Sequence, residues 1–370
     1  MKINGKQHRS IWLNEDGFSV DIIDQTVLPH EFEIRTLGNL AEAVEAITTM
    51  RVRGAPLIGA TAAYGMALAM TDQADDDSID QAAQLLLATR PTAVNLRWAL
   101  SRMCDVLHPA EPAERVAAAY LAAGQICDED VDINFRIGQN GLGLIKEIWA
   151  TRKQRSETVH ILTHCNAGWL ATVDWGTALA PIYQAHDAGI PVHVWVDETR
   201  PRNQGAALTA WELDAHGVAH DVIVDNAGGH LMQKGLVDLC ITGTDRTARN
   251  GDVCNKIGTY LKALAAKDNE VPFYVALPGP TIDWQMADGV AGIPIEEREA
   301  SEVTRVWGRL PSGENGLVQI TPAGVTARNY AFDVSPARLI TGLVTERGIC
   351  KASEQGLLSL YPEQGDFLDD

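Results

Sequence analysis

Five short runs of β-branched and apolar residues, spread through the second half of the chain, constrain the fold more than any other feature. They are VHILTHC ending at Cys165, PVHVWVDE ending at Glu198, DVIVDN ending at Asn226, VDLCITGTD ending at Asp245 and VPFYVALP ending at Pro278. Helical patterns fall between them, over residues 169–186, 206–216, 230–235 and 256–267. Strands alternating with helices predict βαβ units and a parallel sheet covered on both faces. The expected fold class is α/β, with a doubly wound sheet in the C-terminal part.

The first half has another rhythm. Two alternating stretches, SIWLNEDGFSVDIID and TVLPHEFEIRTL, read as short strands joined by a turn. From Asn39 to about Trp149 the pattern is helical: 40–50, 58–70, 93–107 after Pro91, and 113–148 with internal breaks. Small residues crowd the second of these (Gly59, Ala60, Ala62, Ala63, Gly65, Ala67, Ala69), which suits close packing in a core. A polar, basic stretch from Thr151 to Thr158 separates the two rhythms. The division expected is an N-terminal domain over 1–150, short strands then helices, and a catalytic domain over 151–370. A chain of 370 residues has room for both.

Composition narrows the function by exclusion. The formal net charge of −19 repels nucleic acid and anionic lipid, since phosphate backbones require a basic footprint. A phosphate-bearing small molecule would have to be caught by local cations against that field. No apolar run is long enough to span a membrane, and the N-terminal residues lack the apolar core of a signal peptide. Six scattered cysteines, without a CxxC pair or zinc-like histidine spacing, suit reduced thiols in the cytoplasm and no structural metal.

In open α/β sheets ligands bind beyond the carboxyl ends of the strands. Four of the five strand ends carry acids, amides or a thiol: Cys165-Asn166, Asp197-Glu198, Asp225-Asn226 and Thr244-Asp245. Cys165 is expected where the next helix begins, a place that would stabilise a thiolate; an inert buried thiol is the other reading. Asp245 either caps a turn or belongs to a polar cluster with Arg246, Asn250, Asp252, Asn255 and Lys256. Asn255-Lys256 would open the following helix, and a helix start with a lysine suits phosphate. In R-V-R-G-A-P, Arg53 offers a planar cation and Gly54 a close backbone approach, or the segment is an ordinary helix start. Arg90 precedes a proline and reads as a ligand cation or a surface arginine. Neither GxGxxG, a Walker loop nor G-x-S-x-G occurs.

Together these segments resemble one motif set. R-V-R-G-A-P, R-P-T-A-V-N-L, T-H-C-N-A-G, V-D-E-T-R-P-R-N-Q-G, D-N-A-G-G-H, G-T-D-R-T-A-R-N-G-D-V-C-N-K-I-G-T-Y, T-I-D and P-I-E-E-R run in order from Arg51 to Arg298. F-D-V-S-P-A-R-L-I-T-G extends the match to about Gly348. The set is similar to that of methylthioribose-1-phosphate isomerases, whose wider family includes regulatory subunits of a translation initiation factor's exchange complex and archaeal ribose-1,5-bisphosphate isomerases. The resemblance implies a Rossmann-like domain with a smaller N-terminal domain, a homodimer, and isomerisation of 5-methylthioribose 1-phosphate to the ketose in methionine salvage. It implies no cofactor and no metal. Carried over by motif, Cys165 and Asp245 are the catalytic pair, and Arg53, Gly54, Ala55, Arg90, Gln204, Asn255 and Lys256 bind substrate. Departures include G-T-D-R for the commoner G-A-D-R, Cys254 where alanine is frequent, N-Y-A-F-D for N-P-A-F-D, and P-G-P-T-I-D for forms with serines. The last puts fine substrate preference in doubt. A related sugar 1-phosphate (5-deoxyribose 1-phosphate or ribose 1,5-bisphosphate) and a non-catalytic subunit of the translation-factor type are the competing readings.

Overall fold

The computed structural model describes residues 1–3, 5–90, 93–151 and 157–367. Its largest sheet has seven strands. From edge to edge they are Gly348–Cys350, Gly342–Thr345, Phe273–Ala276, Leu239–Thr242, Val159–Thr163, Val192–Asp197 and Ala219–Ile223. All neighbours are parallel except the first pair, Gly348–Cys350 against Gly342–Thr345. Counted along the chain, the first six strands lie in the order third, second, first, fourth, fifth, sixth. This is the doubly wound order, so the sequence-derived α/β class holds. The chain reverses direction across the sheet between Val159–Thr163 and Leu239–Thr242, and the crevice outside those two strand ends is where such folds bind ligands.

A second, four-stranded sheet sits beyond that crevice: Ile282–Asp283, Arg246–Ala248, Val253–Lys256 and Phe332–Ser335. The sequence reading missed it. Asn255 and Lys256 close a strand, with registers to Asp333 and Phe332, and the helix begins only at Thr259. The expectation that they open a helix is therefore corrected. All four residues of Val253–Lys256 are buried, so the run lacks the alternation that marks a half-exposed strand.

The helix expected over 169–186 is also corrected. A single 3-10 turn, Trp169–Ala171, is followed by a loop, and the helix is Ala180–Asp187. Trp175 and Gly176 have φ of 68° and 78°, which no α-helix continues through. The intervening apolar residues, among them Val173, Ala178 and Leu179, are buried as loop residues. Their hydrophobicity imitated a helix.

The N-terminal part has an antiparallel sheet (Ile11–Leu13, Val20–Ile23, Ile34–Leu37) and helices Leu40–Thr48, Ala55–Asp72, Asp76–Thr89, Val94–Leu107 and Arg115–Ala150. Fourteen of the 18 residues of Ala55–Asp72 are buried, so this helix is surrounded on all sides and has no solvent face. The last helix runs unbroken for 36 residues, against the expected breaks. Two of its glycines, Gly138 and Gly141, serve packing: a Cβ on Gly141 would lie 2.4 Å from the Pro181 ring, so Gly141 lets Ala180–Asp187 come close. Most of the expected linker (152–156) and part of R-P-T-A-V-N-L (Pro91, Thr92) lie outside the described residues. Met1, Ile3, Ile23 and Leu28 pack in the same apolar cluster as the large sheet, so the chain's first strands reach over to the second half. Among the described residues no helix is long and apolar enough to cross a membrane.

Candidate active site

The reversal of strand order places two loops side by side: His164-Cys165-Asn166 after one strand and Gly243-Thr244-Asp245 after the other. They line a narrow cleft of about 60 Å³. All nine sequence-predicted residues line it: Arg53, Gly54, Ala55, Arg90, Cys165, Gln204, Asp245, Asn255 and Lys256.

Cys165 is buried, with φ of 66°. Its N–H donates to Thr199 Oγ1 (2.8 Å), and its Sγ lies 3.3 Å from Gln204 Oε1. Thr199, itself at φ 64°, donates its N–H to Asp225 Oδ1 (2.7 Å) and its hydroxyl to the Asp197 carbonyl (2.9 Å). Two left-handed non-glycine residues, one of them β-branched, store strain that the surrounding bonds hold in place. The expectation of a thiol at a helix start is corrected, because a loop follows Cys165. Burial raises its pKa, the charges of Arg53 and Lys256 pull it back, and Asp245 pushes it up again.

Asp245 anchors its backbone N–H on the Cys254 carbonyl (2.9 Å). Burial raises its pKa, against the lowering influence of Lys256, Arg90 and Arg53. A carboxyl held protonated towards higher pH is a proton donor.

Three cations face these groups. Arg53 is 5% exposed, donates Nε to Gln25 Oε1 (3.1 Å) and Nη1 to the Asn166 carbonyl (2.9 Å), and among the described residues its Nη2 has no partner. A buried guanidinium with a spare donor marks the place of an anion. Lys256 lies over the Phe332 ring, Nζ 4.5 Å from its centroid. Burial lowers its pKa, while Cys165 and Asp245 oppose the shift. Arg90 follows the helix Asp76–Thr89 and pairs with Glu296 (3.0 Å). Gly54, at φ 92°, caps Ala55–Asp72, and a Cβ there would fall 2.4 Å from the Ala171 carbonyl oxygen. Only glycine fits. Asn255 Nδ2 donates to Thr259 Oγ1 (3.0 Å).

The layer behind the cleft escaped the sequence reading. Glu212 is fully buried and accepts from Asn166 Nδ2 (2.9 Å), the N–H groups of Trp169 and Leu170 (2.8 and 3.0 Å) and Tyr183 Oη (2.8 Å). A glutamate between Trp211 and Leu213 in a short helix was the available signal. His164, Asp197 and Asp225 have the composition of a metal site. The Lys262 ammonium, however, sits 3.0 Å from Asp197 Oδ2 and donates to the Asp225 carbonyl, so the protein's own cation already occupies one of the carboxylates of the cluster, and the N–H groups of Thr199 and Arg200 hold the other. A second cavity of about 150 Å³, reaching Trp307 and Leu317, shares Met50, Arg53 and Gln204 with the cleft.

Comparison with known proteins agrees with this geometry. Residues 51–352 match the initiation factor 2 subunit family. A methylthioribose-1-phosphate isomerase of Rhodospirillum rubrum is 64% identical over 98% of this chain and 94% of its own length. Among solved structures, 5-methylthioribose 1-phosphate isomerase from Pyrococcus horikoshii OT3 superposes with a TM-score of 0.82 at 38% identity, covering 97% of each chain. The translation initiation factor eIF-2B subunit delta from A. fulgidus superposes at 0.78 with 36% identity, covering 96% of this chain and all of that one. With most of its length matched by the family and its switch-point cleft formed by the family's motifs, the chain belongs to the initiation factor 2 subunit family.

Proposed function

We propose that this chain is an aldose–ketose isomerase that converts 5-methylthioribose 1-phosphate to 5-methylthioribulose 1-phosphate. One observation carries the reading: a buried thiol and a carboxyl of raised pKa share a cleft with a buried guanidinium whose spare donor has no partner among the described residues. The identity to methylthioribose-1-phosphate isomerases supports the same substrate.

A phosphate on the anomeric carbon prevents the ring from opening as a free sugar's does. Asp245 protonates the ring oxygen, which becomes the C4 hydroxyl, while hydrogen leaves C2 for C1, and it regains a proton from the C2 hydroxyl as the ketone forms. Cys165 serves at C1–C2, exchanging a proton or stabilising developing charge. Arg53, Arg90 and Lys256 hold the phosphate, Asn255 and Gln204 orient the sugar hydroxyls, and the Gly54-Ala55 turn lets backbone approach the ligand. The cations serve a single phosphate, so 5-deoxyribose 1-phosphate ranks second and ribose 1,5-bisphosphate last. Retention of Cys165, Asp245 and the three cations argues against a non-catalytic role of the translation-factor kind. A symmetric homodimer is the assembly we expect; light scattering at the mass of one chain, 40.1 kDa, would contradict it.

The deciding experiment mixes the pure protein with 5-methylthioribose 1-phosphate and follows C1 and C2 by NMR. Appearance of the ketose supports the reading, and an unchanged aldose spectrum at high protein concentration overturns it.

A further inference from the structure

Beneath the Cys165 loop lies a layer of buried charge that the mechanism above leaves unused. His164 Nδ1 is 2.8 Å from Asp197 Oδ2, and Lys262 Nζ is 3.0 Å from that same oxygen. On the other side of the ring, His164 Nε2 is 2.8 Å from the Ile257 carbonyl oxygen. The side chains of His164 and Asp197 are fully buried, and that of Lys262 is 5% exposed. A carbonyl oxygen only accepts, so Nε2 bears a hydrogen. Asp197 Oδ2 already receives an ammonium, which favours the ionised carboxylate, so Nδ1 bears a hydrogen as well. The ring donates in both directions.

What it joins gives this meaning. His164 directly precedes Cys165, and Ile257 directly follows Lys256. The two segments leave different sheets and meet only across the crevice. We propose that His164 is a positioning residue that fixes the spacing between the Cys165 thiol and the Lys256 ammonium by donating from both ring nitrogens. Asp197 and Lys262 hold the ring from behind. Lys262 donates in turn to the Asp225 carbonyl, and the Asp225 carboxylate orients Thr199 under the Cys165 N–H. The thiol and the ammonium are thus set by one continuous chain of bonds. This inference rests on the proposed roles of Cys165 in chemistry and Lys256 in phosphate binding.

Two near-isosteric variants separate the two halves of the bridge. His164→Asn retains a donor towards Asp197 and gives up Ile257, which frees the Lys256 strand end. KM for 5-methylthioribose 1-phosphate should rise by about tenfold or more, with kcat changed less. His164→Gln retains the far donor and gives up Asp197, so kcat should fall about tenfold while KM stays within a few-fold. Separately, 15N NMR of histidine-labelled wild-type protein should show a proton bound to each ring nitrogen of His164. Identical kinetic effects in the two variants, or a bare ring nitrogen on His164, would overturn the proposal. The NMR result decides alone if neither variant folds. It also stands apart from the substrate assignment, because it needs no turnover.

Discussion

Helix Ala55–Asp72 belongs to two worlds. Its body is buried on every side by small and apolar neighbours, and among the buried residues of that helix none is charged. Its first turn, at Gly54-Ala55, opens into a cleft lined by the buried Arg53 and Lys256 and backed by a layer in which Glu212, Asp197 and Lys262 are buried. Burying charge costs several kcal/mol per ion unless partners compensate. The body of the helix therefore shows what stability alone selects, and the cleft shows what selection for stability would avoid. In the cleft and that layer most charges have partners: Glu212 has four donors, and Asp197 has a lysine and a histidine. Among the described residues, Arg53 Nη2, Arg90 Nε and Asp197 Oδ1 are buried there without a partner. That contrast separates scaffold from site without reference to any relative.

If the contrast is right, cleft substitutions should change kinetics at nearly constant stability. The largest effect falls on Cys165→Ser and Asp245→Asn, each of which removes a titrating group at almost constant volume. Turnover should drop ~10²–10⁴-fold with an unchanged circular dichroism spectrum and melting curve. Folded variants with near wild-type turnover would remove both residues from the mechanism. Next come Arg53→Met and Lys256→Met, which keep the buried stem and delete the charge. Each loses a charge-assisted contact of ~1.5–3 kcal/mol, seen as a higher KM. Both should melt slightly higher than wild type, as a desolvated cation is removed. An unchanged KM in both would place the phosphate elsewhere.

The scaffold was more legible in sequence than the site's supports. Patterns of period two and 3.6 gave the parallel sheet, the N-terminal strands and most helices, because each of those elements buries one face or a continuous core. The pattern failed where burial was total and local geometry decided. Val253–Lys256 has no exposed face, and the loop from Thr172 to Leu179 is apolar because it is buried. At the site, strand ends nominated Cys165 and Asp245, turn and helix-start chemistry nominated Arg53, Arg90 and Lys256, and the motif resemblance gave all of them roles. Glu212, His164 and Thr199 act through contacts made by distant segments: Asn166 with Glu212, Ile257 with His164, Cys165 with Thr199. No local period reports such contacts.

The converse test is a substitution that harms the scaffold and spares the chemistry. At Gly141, helix propensity favours alanine by ~1 kcal/mol. The new Cβ would meet the Pro181 ring at 2.4 Å, and a proline ring cannot rotate away. Overpacking of this kind costs ~1–3 kcal/mol, so Gly141→Ala should lower Tm on balance while kcat and KM stay unchanged. A higher Tm would mean that Ala180–Asp187 can shift, and that the close approach is not fixed.

The smallest effect sharpens the comparison furthest, because it concerns a partly buried charge outside the cleft. Asp130, on helix Arg115–Ala150, accepts from the Val173 N–H (2.7 Å). Burial pushes its pKa up to about 7, against that hydrogen bond and the influence of Asn134. In the unfolded chain the group returns to about 3.9. Between those values the folded state binds more protons, so stability falls as pH rises from about 4 through about 7 and levels off above. On the proposed function the cleft's buried charges serve binding and catalysis, whereas that proposal gives Asp130 no role, so it should be a liability at neutral pH. Asp130→Asn keeps an acceptor for Val173 and removes the titration. The difference in Tm between variant and wild type should move in the variant's favour by a few degrees between pH 5 and pH 8, with turnover at pH 8 unaltered. A difference independent of pH would show that Asp130 titrates alike folded and unfolded. A loss of turnover would extend the functional region to this helix and blur the boundary between scaffold and site.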